Sequence, residues 1–182
     1  MMKANSSRTE ALEKRQRFEA FFRDNYTRLE QYVGRRVAKA QVDDIVGATF
    51  VVAWRKFDQV EQASLPWLFR IASFEMKSSS RKARRDGHFL GSEILEGVPN
   101  TVEEIFDGEP MRQALAELSD VDQEILRLVH WDELTRPEIG EVLGLAVSAV
   151  NMRYHRAIAR LEQRLSPTTT PTTNTPKEAS DE

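Results

Sequence analysis

Apolar residues recur at three- and four-residue intervals along most of this chain, and the stretches where that rhythm stops mark its organisation. Residues 18–39 place Phe18, Phe21, Phe22, Leu29, Tyr32, Val33 and Val37 on one side of a helix. Residues 42–57 repeat the spacing with Val42, Ile45, Val46, Phe50, Ala53, Trp54 and Phe57. Asp43 and Asp44 fall where acids suit a helix N-terminus. A third helix, 65–85, opens on Leu-Pro-Trp with Pro66 in its first turn, continues through Leu68, Ile71, Ala72 and Met76, and ends in a run of serines, lysines and arginines. Trp54 and Trp67 sit on apolar stripes and are expected in the core. Residues 86–110 hold four Gly, two Pro and no sustained period, and read as a linker.

Helical periodicity resumes at Met111–Leu118. Ser119 then suits an N-cap, with Asp122 three residues on and Ile125, Leu126, Leu128 and Val129 as the core face. Thr135-Arg-Pro-Glu138 has the form of a capping box opening a short helix whose apolar side is Ile139, Val142 and Leu143. Gly144 follows, and a longer helix starts at Val147. Short helix, glycine turn, longer helix is the helix-turn-helix pattern. Residues 166–182 are a Thr/Pro-rich, low-complexity segment expected to be disordered. The fold class expected is all-α: an N-terminal helical bundle over 16–85 and a helix-turn-helix domain over 111–165, joined by an acidic linker over 86–110, with a flexible tail over 1–15.

Charge changes this picture more than composition does. The net charge of −3 hides a strong segregation. Residues 1–85 carry 18 Lys and Arg against 10 Asp and Glu, whereas residues 86–110 carry 7 acids and no base. A basic front half suits a polyanionic partner, and an acidic connector avoids one. The 182 residues include no Cys, which excludes disulfides, Cys-ligated zinc and thiol catalysis. No apolar run approaches the roughly 18 residues of a membrane span, and the charged N-terminus lacks a signal peptide's apolar stretch. The expected location is the cytoplasm, without membrane insertion. Asp43-Asp44 has no His or further acid nearby to complete a metal site. His88 and His130 have no catalytic partner at a known spacing, and no phosphate-binding Gly loop or HExxH motif is present. No cofactor, metal ligand or catalytic residue is expected.

The last helix carries the most specific chemistry. At about 100° per residue, Val147, Val150, Tyr154, Ala157, Ile158, Leu161 and Leu165 share one side. The other side presents Ser148, Ala149, Met152, His155, Arg156, Ala159, Arg160 and Gln163, with Asn151 and Arg153 on the flanks. A helix entering the DNA major groove needs small residues for close approach, donors for base edges and no carboxylate facing phosphate. Arg156 suits bidentate pairing with guanine, Met152 contact with a thymine methyl, and Arg153 and Arg160 phosphate contacts. An amphipathic surface helix would share the apolar side, but the capped helix and glycine turn before it favour DNA binding.

At this point TRPEIGEVLGLAVSAVNMRYHRAIARLEQRL resembles the promoter-reading helix-turn-helix of bacterial sigma factors, and ALAELSDVDQEILRLVHWDELT the segment before it. DDIVGATFVVAWRKF resembles the helix by which sigma factors dock on the polymerase clamp, and LPWLFRIASFEMKSSSRKARR the segment that opens and reads the minus-ten element. The resemblance covers about residues 16–165. A short linker in place of a middle domain points to the extracytoplasmic-function group.

The resemblance implies a non-enzymatic initiation factor that binds core RNA polymerase (clamp and flap) and promoter DNA, with an anti-sigma factor as a further partner. Asp43, Asp44, Gly47, Ala48, Val51 and Arg55 would face polymerase, with Phe50 and Trp54 behind them in the core. Gln59, Glu61 and Ser64 lie in the loop that would capture a flipped base. Ser73, Phe74, Lys77, Arg81, Lys82, Arg84 and Arg85 would follow the minus-ten DNA. Ser148, Asn151, Met152, Arg153, His155, Arg156 and Arg160 would read the minus-thirty-five element. The chain departs from the family pattern at Gly47-Ala48, where a polar pair is usual, and at Phe74, where Asn is common. The acidic linker would thread the basic RNA path of the polymerase. Three other readings stay open on sequence alone: a free-standing helix-turn-helix regulator, a nucleotide hydrolase using Asp43, Asp44 and Glu61, and a polymerase inhibitor without DNA contact.

Overall fold

The computed structural model describes residues 2–85 and 109–165, with side chains over 9–81 and 110–165. The described residues form seven α-helices and one short 3-10 turn, with no strand. In chain order these are α1 (Met2–Gly34), α2 (Lys39–Lys56), the 3-10 turn Phe57–Gln59, α3 (Leu65–Arg85), α4 (Glu109–Ala116), α5 (Asp120–His130), α6 (Arg136–Leu143) and α7 (Val147–Leu165). The linker read over 86–110 and the tail over 166–182 lie outside the described residues, apart from Glu109 and Pro110, which already belong to α4.

Helix α1 starts far earlier than its apolar stripe does. The flexible tail expected over 1–15 is helical from Met2 onward. Residues 9–17 are rich in strong helix formers, and Arg15 pairs with Glu19 one turn on at 2.7 Å. Tertiary contacts hold this segment as well. Lys14 and Arg17 both pair with Asp58 in the 3-10 turn, and the Lys14 ammonium lies 4.6 Å from the centre of the Trp54 ring. Polar periodicity therefore concealed a helix that is anchored by charge at its side and not by an apolar stripe.

Helices α1, α2 and α3 pack on one another around Leu29, Tyr32, Val33, Ile45, Phe50 and Leu68. Phe50 is buried as expected, but Trp54 is not: it is 38% exposed. Its ring meets Phe18 edge-on at 5.0 Å and carries the Lys14 ammonium, and part of it stays exposed on the surface of α2. The stripe on α2 is wider than the space between α1 and α3, so its margin stays outside. Val51 of α2 and Phe22 of α1 are exposed as well.

In the second half, α4, α5 and α6 each pack on α7. The Ser119 hydroxyl accepts the Asp122 amide at the start of α5, at 3.2 Å. Glu138 accepts from both the amide and the hydroxyl of Thr135, each at 2.7 Å, and so closes the N-terminus of α6.

The two halves are not beads on a string. Helix α6 lies directly on α3. Ile125, Leu128, Ile139, Val142 and Val150 belong to the same buried cluster as Leu29, Phe69 and Ala72. A smaller cluster of Leu118, Leu126 and Ala157 sits under α4 and is confined to the second half.

Leu68 is fully buried in the shared core. Leu68→Ala removes its contacts and leaves a cavity, a combination that costs about 2–5 kcal/mol. Urea denaturation followed by circular dichroism is expected to show a lower midpoint with an unchanged slope.

Candidate nucleic-acid interface

The turn between α6 and α7 sets how α7 is presented. Helix α6 ends at Gly144, whose φ of 68° is left-handed, as a residue just past a helix end often is. The Leu145 amide then bonds back to the Gly140 carbonyl at 3.0 Å. The chain passes so close to Gly140 that a β-carbon there would stand 2.7 Å from the Leu145 carbonyl oxygen. Gly144 is legible in the sequence as the turn residue. Gly140 is not, because it lies mid-helix, and only the returning backbone shows why it has no side chain.

With that turn in place, Val150 and Ala157 of α7 are buried. Ser148, Met152, His155, Arg156 and Arg160 are exposed on its outer side, and Asn151 and Arg153 are half-buried at its edges. Between Val147 and Leu161 the helix bears no carboxylate. Arg156 has no ion-pair partner among the described residues. Arg153 differs: it is tied to Asp122 at 3.0 Å and so braces α7 against α5. A missed neighbour is Arg136, the first residue of α6, whose guanidinium stacks 3.6 Å from the centre of the Tyr154 ring. It brings one more cation to the side of α7.

In the first half, Gln59 and Glu61 are exposed and Ser64 is half-buried. The Ser64 hydroxyl accepts the Trp67 amide at 3.2 Å, capping α3. Along α3, Phe74, Lys77 and Arg81 are exposed and Ser73 is half-buried, with its hydroxyl donated to the Arg70 carbonyl. Phe74 is 56% exposed, with the Lys77 ammonium 6.0 Å from its ring centre. Lys82, Arg84 and Arg85 belong to the last turn of α3. On α2, Asp43, Asp44, Gly47, Val51 and Arg55 are exposed and Ala48 is half-buried. No group of three or more His, Asp or Glu side chains is placed to hold a metal ion among the described residues. No described helix is long and apolar enough to cross a membrane.

The strongest electrostatic feature lies between these surfaces. Asp132, in the α5–α6 loop, is buried and accepts from Arg35 at 2.7 Å and from Arg36 at 2.8 Å. The Asp132 carbonyl accepts from Arg28 at 2.8 Å. Arg36 also reaches Glu124 of α5 at 2.8 Å and stacks 3.8 Å from the centre of the Tyr32 ring. Tyr32 in turn stacks on Phe69 at 4.0 Å. Burial by itself would lower the Arg36 pKa, but Glu124, Tyr32 and Asp132 outweigh it and hold the guanidinium above the usual arginine range. Burial pushes the Tyr32 phenol above its usual range, so it stays neutral. Nothing in the order of residues marks this cluster. Gly34-Arg35-Arg36 reads as a helix end, and Asp132 as one acid among several in a loop.

Comparison with known proteins identifies the family. A family model described as "Sigma-70, region 4" matches residues 108–161. RNA polymerase sigma factor NccH of Alcaligenes xylosoxydans xylosoxydans is 33% identical over 137 residues, which span 69% of this chain and 73% of that protein. RNA polymerase sigma factor CnrH of Cupriavidus metallidurans is 30% identical over 145 residues, 71% of this chain and 75% of that protein. The ECF RNA polymerase sigma factor SigW of Bacillus subtilis is 27% identical over 142 residues, 69% of this chain and 75% of that protein. The solved structure of CnrH in complex with the cytosolic domain of CnrY is similar at a TM-score of 0.57 and 26% identity, over 82% of this chain and 87% of that one.

Gly140→Ala forces the Leu145 carbonyl away from the end of α6. The strain is expected to cost about 1–3 kcal/mol, as overpacking does, and to tilt α7. Thermal unfolding should show the loss in stability, and amide exchange should show faster opening at Leu145 than in the unaltered chain.

Proposed function

Because this chain belongs to the extracytoplasmic-function sigma factors of bacterial RNA polymerase, we propose that it acts through three surfaces, each assigned here to named residues. The chain itself is a sigma factor: it binds core RNA polymerase and directs promoter-specific initiation. The finer assignment is that α7 reads the minus-thirty-five element with Ser148, Asn151, Met152, His155, Arg156 and Arg160. Arg153 sets the pose of α7 through Asp122 and reaches phosphate only at the edge. The outward, carboxylate-free face of α7 on a tight glycine turn is the observation that carries this reading.

The α3 surface and the loop before it take the minus-ten DNA. Gln59, Glu61 and Ser64 meet an unstacked base, and Ser73, Phe74, Lys77 and Arg81 follow the strand, with Lys82, Arg84 and Arg85 continuing the positive charge. Enzymes and factors that act on a single base must take it out of the stack, and a cationic groove with aromatic rings holds the exposed strand. Asp43, Asp44, Gly47, Ala48, Val51 and Arg55 of α2 face polymerase, and the open Trp54 edge supplies apolar area beside them. The chain works in the cytoplasm as a binding factor without a chemical step of its own. An anti-sigma factor is its regulatory partner. The solved relative CnrH is bound by the cytosolic domain of CnrY, a precedent for control by a bound protein.

Run-off transcription with core RNA polymerase on a fragmented genomic library tests the whole reading. New discrete start sites are expected only when the chain is present. Arg156→Ala removes one bidentate base contact, worth about 1–3 kcal/mol of discrimination, so promoter preference should relax at one position of the upstream element. Arg160→Ala removes a phosphate contact. It should weaken binding of the complex on all sequences and flatten the log-affinity against log-salt slope by about one. Unaltered start sites and slope in both variants would refute the assignment of α7.

A further inference from the structure

We propose that the N-terminal turns of α1 brace the loop that takes the unstacked base, with Lys14 as a positioning residue that acts through Asp58. This role rests on the minus-ten assignment above, in which Gln59, Glu61 and Ser64 meet that base. One face of α1 touches both ends of the loop, and that juxtaposition carries the proposal.

Lys14, Arg17, Phe18 and Phe21 are spaced at i, i+3, i+4 and i+7, so they share a side of α1. At the loop entry, Lys14 and Arg17 pair with the Asp58 carboxylate, one with each oxygen. The Lys14 ammonium also lies 4.6 Å from the centre of the Trp54 ring, and the Arg17 guanidinium 5.8 Å from that of Phe57. Phe18 meets the Phe57 ring edge-on at 5.1 Å, and Phe21 lies 5.6 Å from the same ring. At the loop exit, Phe21 reaches Trp67 at 6.0 Å. Trp67 is the residue whose amide donates to the Ser64 hydroxyl. Between these two anchors Glu61 and Gln62 are exposed.

Such a brace acts on geometry and little on stability. Asp58 and Arg17 are largely exposed, and exposed ion pairs contribute little to folding. The bundle is held instead by its apolar core. A loop fixed before the base arrives loses less freedom on capturing it. Discrimination between bases needs polar groups held to within about 0.5 Å, because a side chain that can swing meets a wrong base as readily as the right one.

Lys14→Met removes the charge while keeping an unbranched stem and a strong helix former, and Lys14→Arg keeps the charge. Run-off transcription with core polymerase, on a promoter and its single-base minus-ten substitutions, gives discrimination as a ratio of rates. The captured base is the position at which Gln59→Ala or Glu61→Ala relaxes preference. There the ratio is expected to fall about threefold in Lys14→Met and in Asp58→Asn, with the double variant no worse than either single one. Lys14→Arg should retain the ratio. A direct phosphate contact by Lys14 predicts instead a uniform loss on every promoter, a flatter salt slope and no effect of Asp58→Asn. Repulsion of DNA by an unpaired Asp58 predicts that Asp58→Asn keeps or improves discrimination. Either of those outcomes would overturn the positioning role.

A spin label on Gln62→Cys, an exposed position in a chain with no other cysteine, reads the loop of the full chain without DNA. Label mobility is expected to rise in Lys14→Met and Asp58→Asn, and to stay unchanged in Lys14→Arg, at an unaltered thermal midpoint. Unchanged mobility in Lys14→Met would overturn the brace. If Gln59→Ala and Glu61→Ala relax preference but Lys14→Met does not, the proposal alone is overturned. If neither loop variant alters preference at any minus-ten position, the base-capture assignment has failed and the role of Lys14 falls with it.

Discussion

The Arg36 guanidinium lies flat on the Tyr32 ring, with the Glu124 and Asp132 carboxylates at its edges, and the way the two halves of the chain meet depends on that arrangement. Its side chain is 8% exposed and that of Asp132 is 2% exposed, so both charges are almost wholly out of water. Desolvation of that degree is tolerated only when every donor and acceptor is matched. The planar fork of arginine allows it: one edge serves Asp132, another serves Glu124, the Tyr32 carbonyl accepts a third hydrogen bond at 2.8 Å, and the flat face rests on an aromatic ring. A lysine could not satisfy this set.

Such a cluster contributes geometry more than free energy. Buried ion pairs often stabilise little relative to apolar side chains of the same size, while they reject any misaligned pairing. The attraction between the halves comes from apolar burial, with Ile139, Val142 and Val150 against Phe69 and Ala72. The ionic cluster then fixes the register in which those apolar surfaces meet. Once it is fixed, α6 falls on α3 and Glu141 falls at Ser64, a contact that follows from the register and needs no strong interaction of its own.

The same cluster revises how the charge of the front half is understood. Residues 1–85 carry a large excess of positive charge, which points to a polyanion. Arg28, Arg35 and Arg36 account for part of that excess, yet all three are engaged by Asp132 of the second half. Lys14 and Arg17 are taken up by Asp58. The positive charge left open on the first half is therefore smaller than the sequence count, and Lys77 and Arg81 of α3 are among the cations that stay exposed.

Local, periodic information determined the helices, their caps and the outward face of α7. Ser119, Thr135, Glu138 and Gly144 each act within a few residues of themselves, so their roles could be read in order along the chain. The exposed side of α7 could be read in the same way, because 3.6-residue periodicity alone separates Val150 and Ala157 from His155 and Arg156. The start of α1 was hidden because its N-terminal turns are held by salt bridges to a distant turn. Trp54 was misplaced because a stripe shows which side of a helix is apolar, but not how wide the receiving groove is. Gly140 gained its meaning only from a backbone oxygen five residues away. The docking of the two halves was beyond the sequence altogether: Asp132 and Arg36 are 96 residues apart, and nothing periodic connects a loop acid to a helix-end arginine until folding brings them within hydrogen-bond distance.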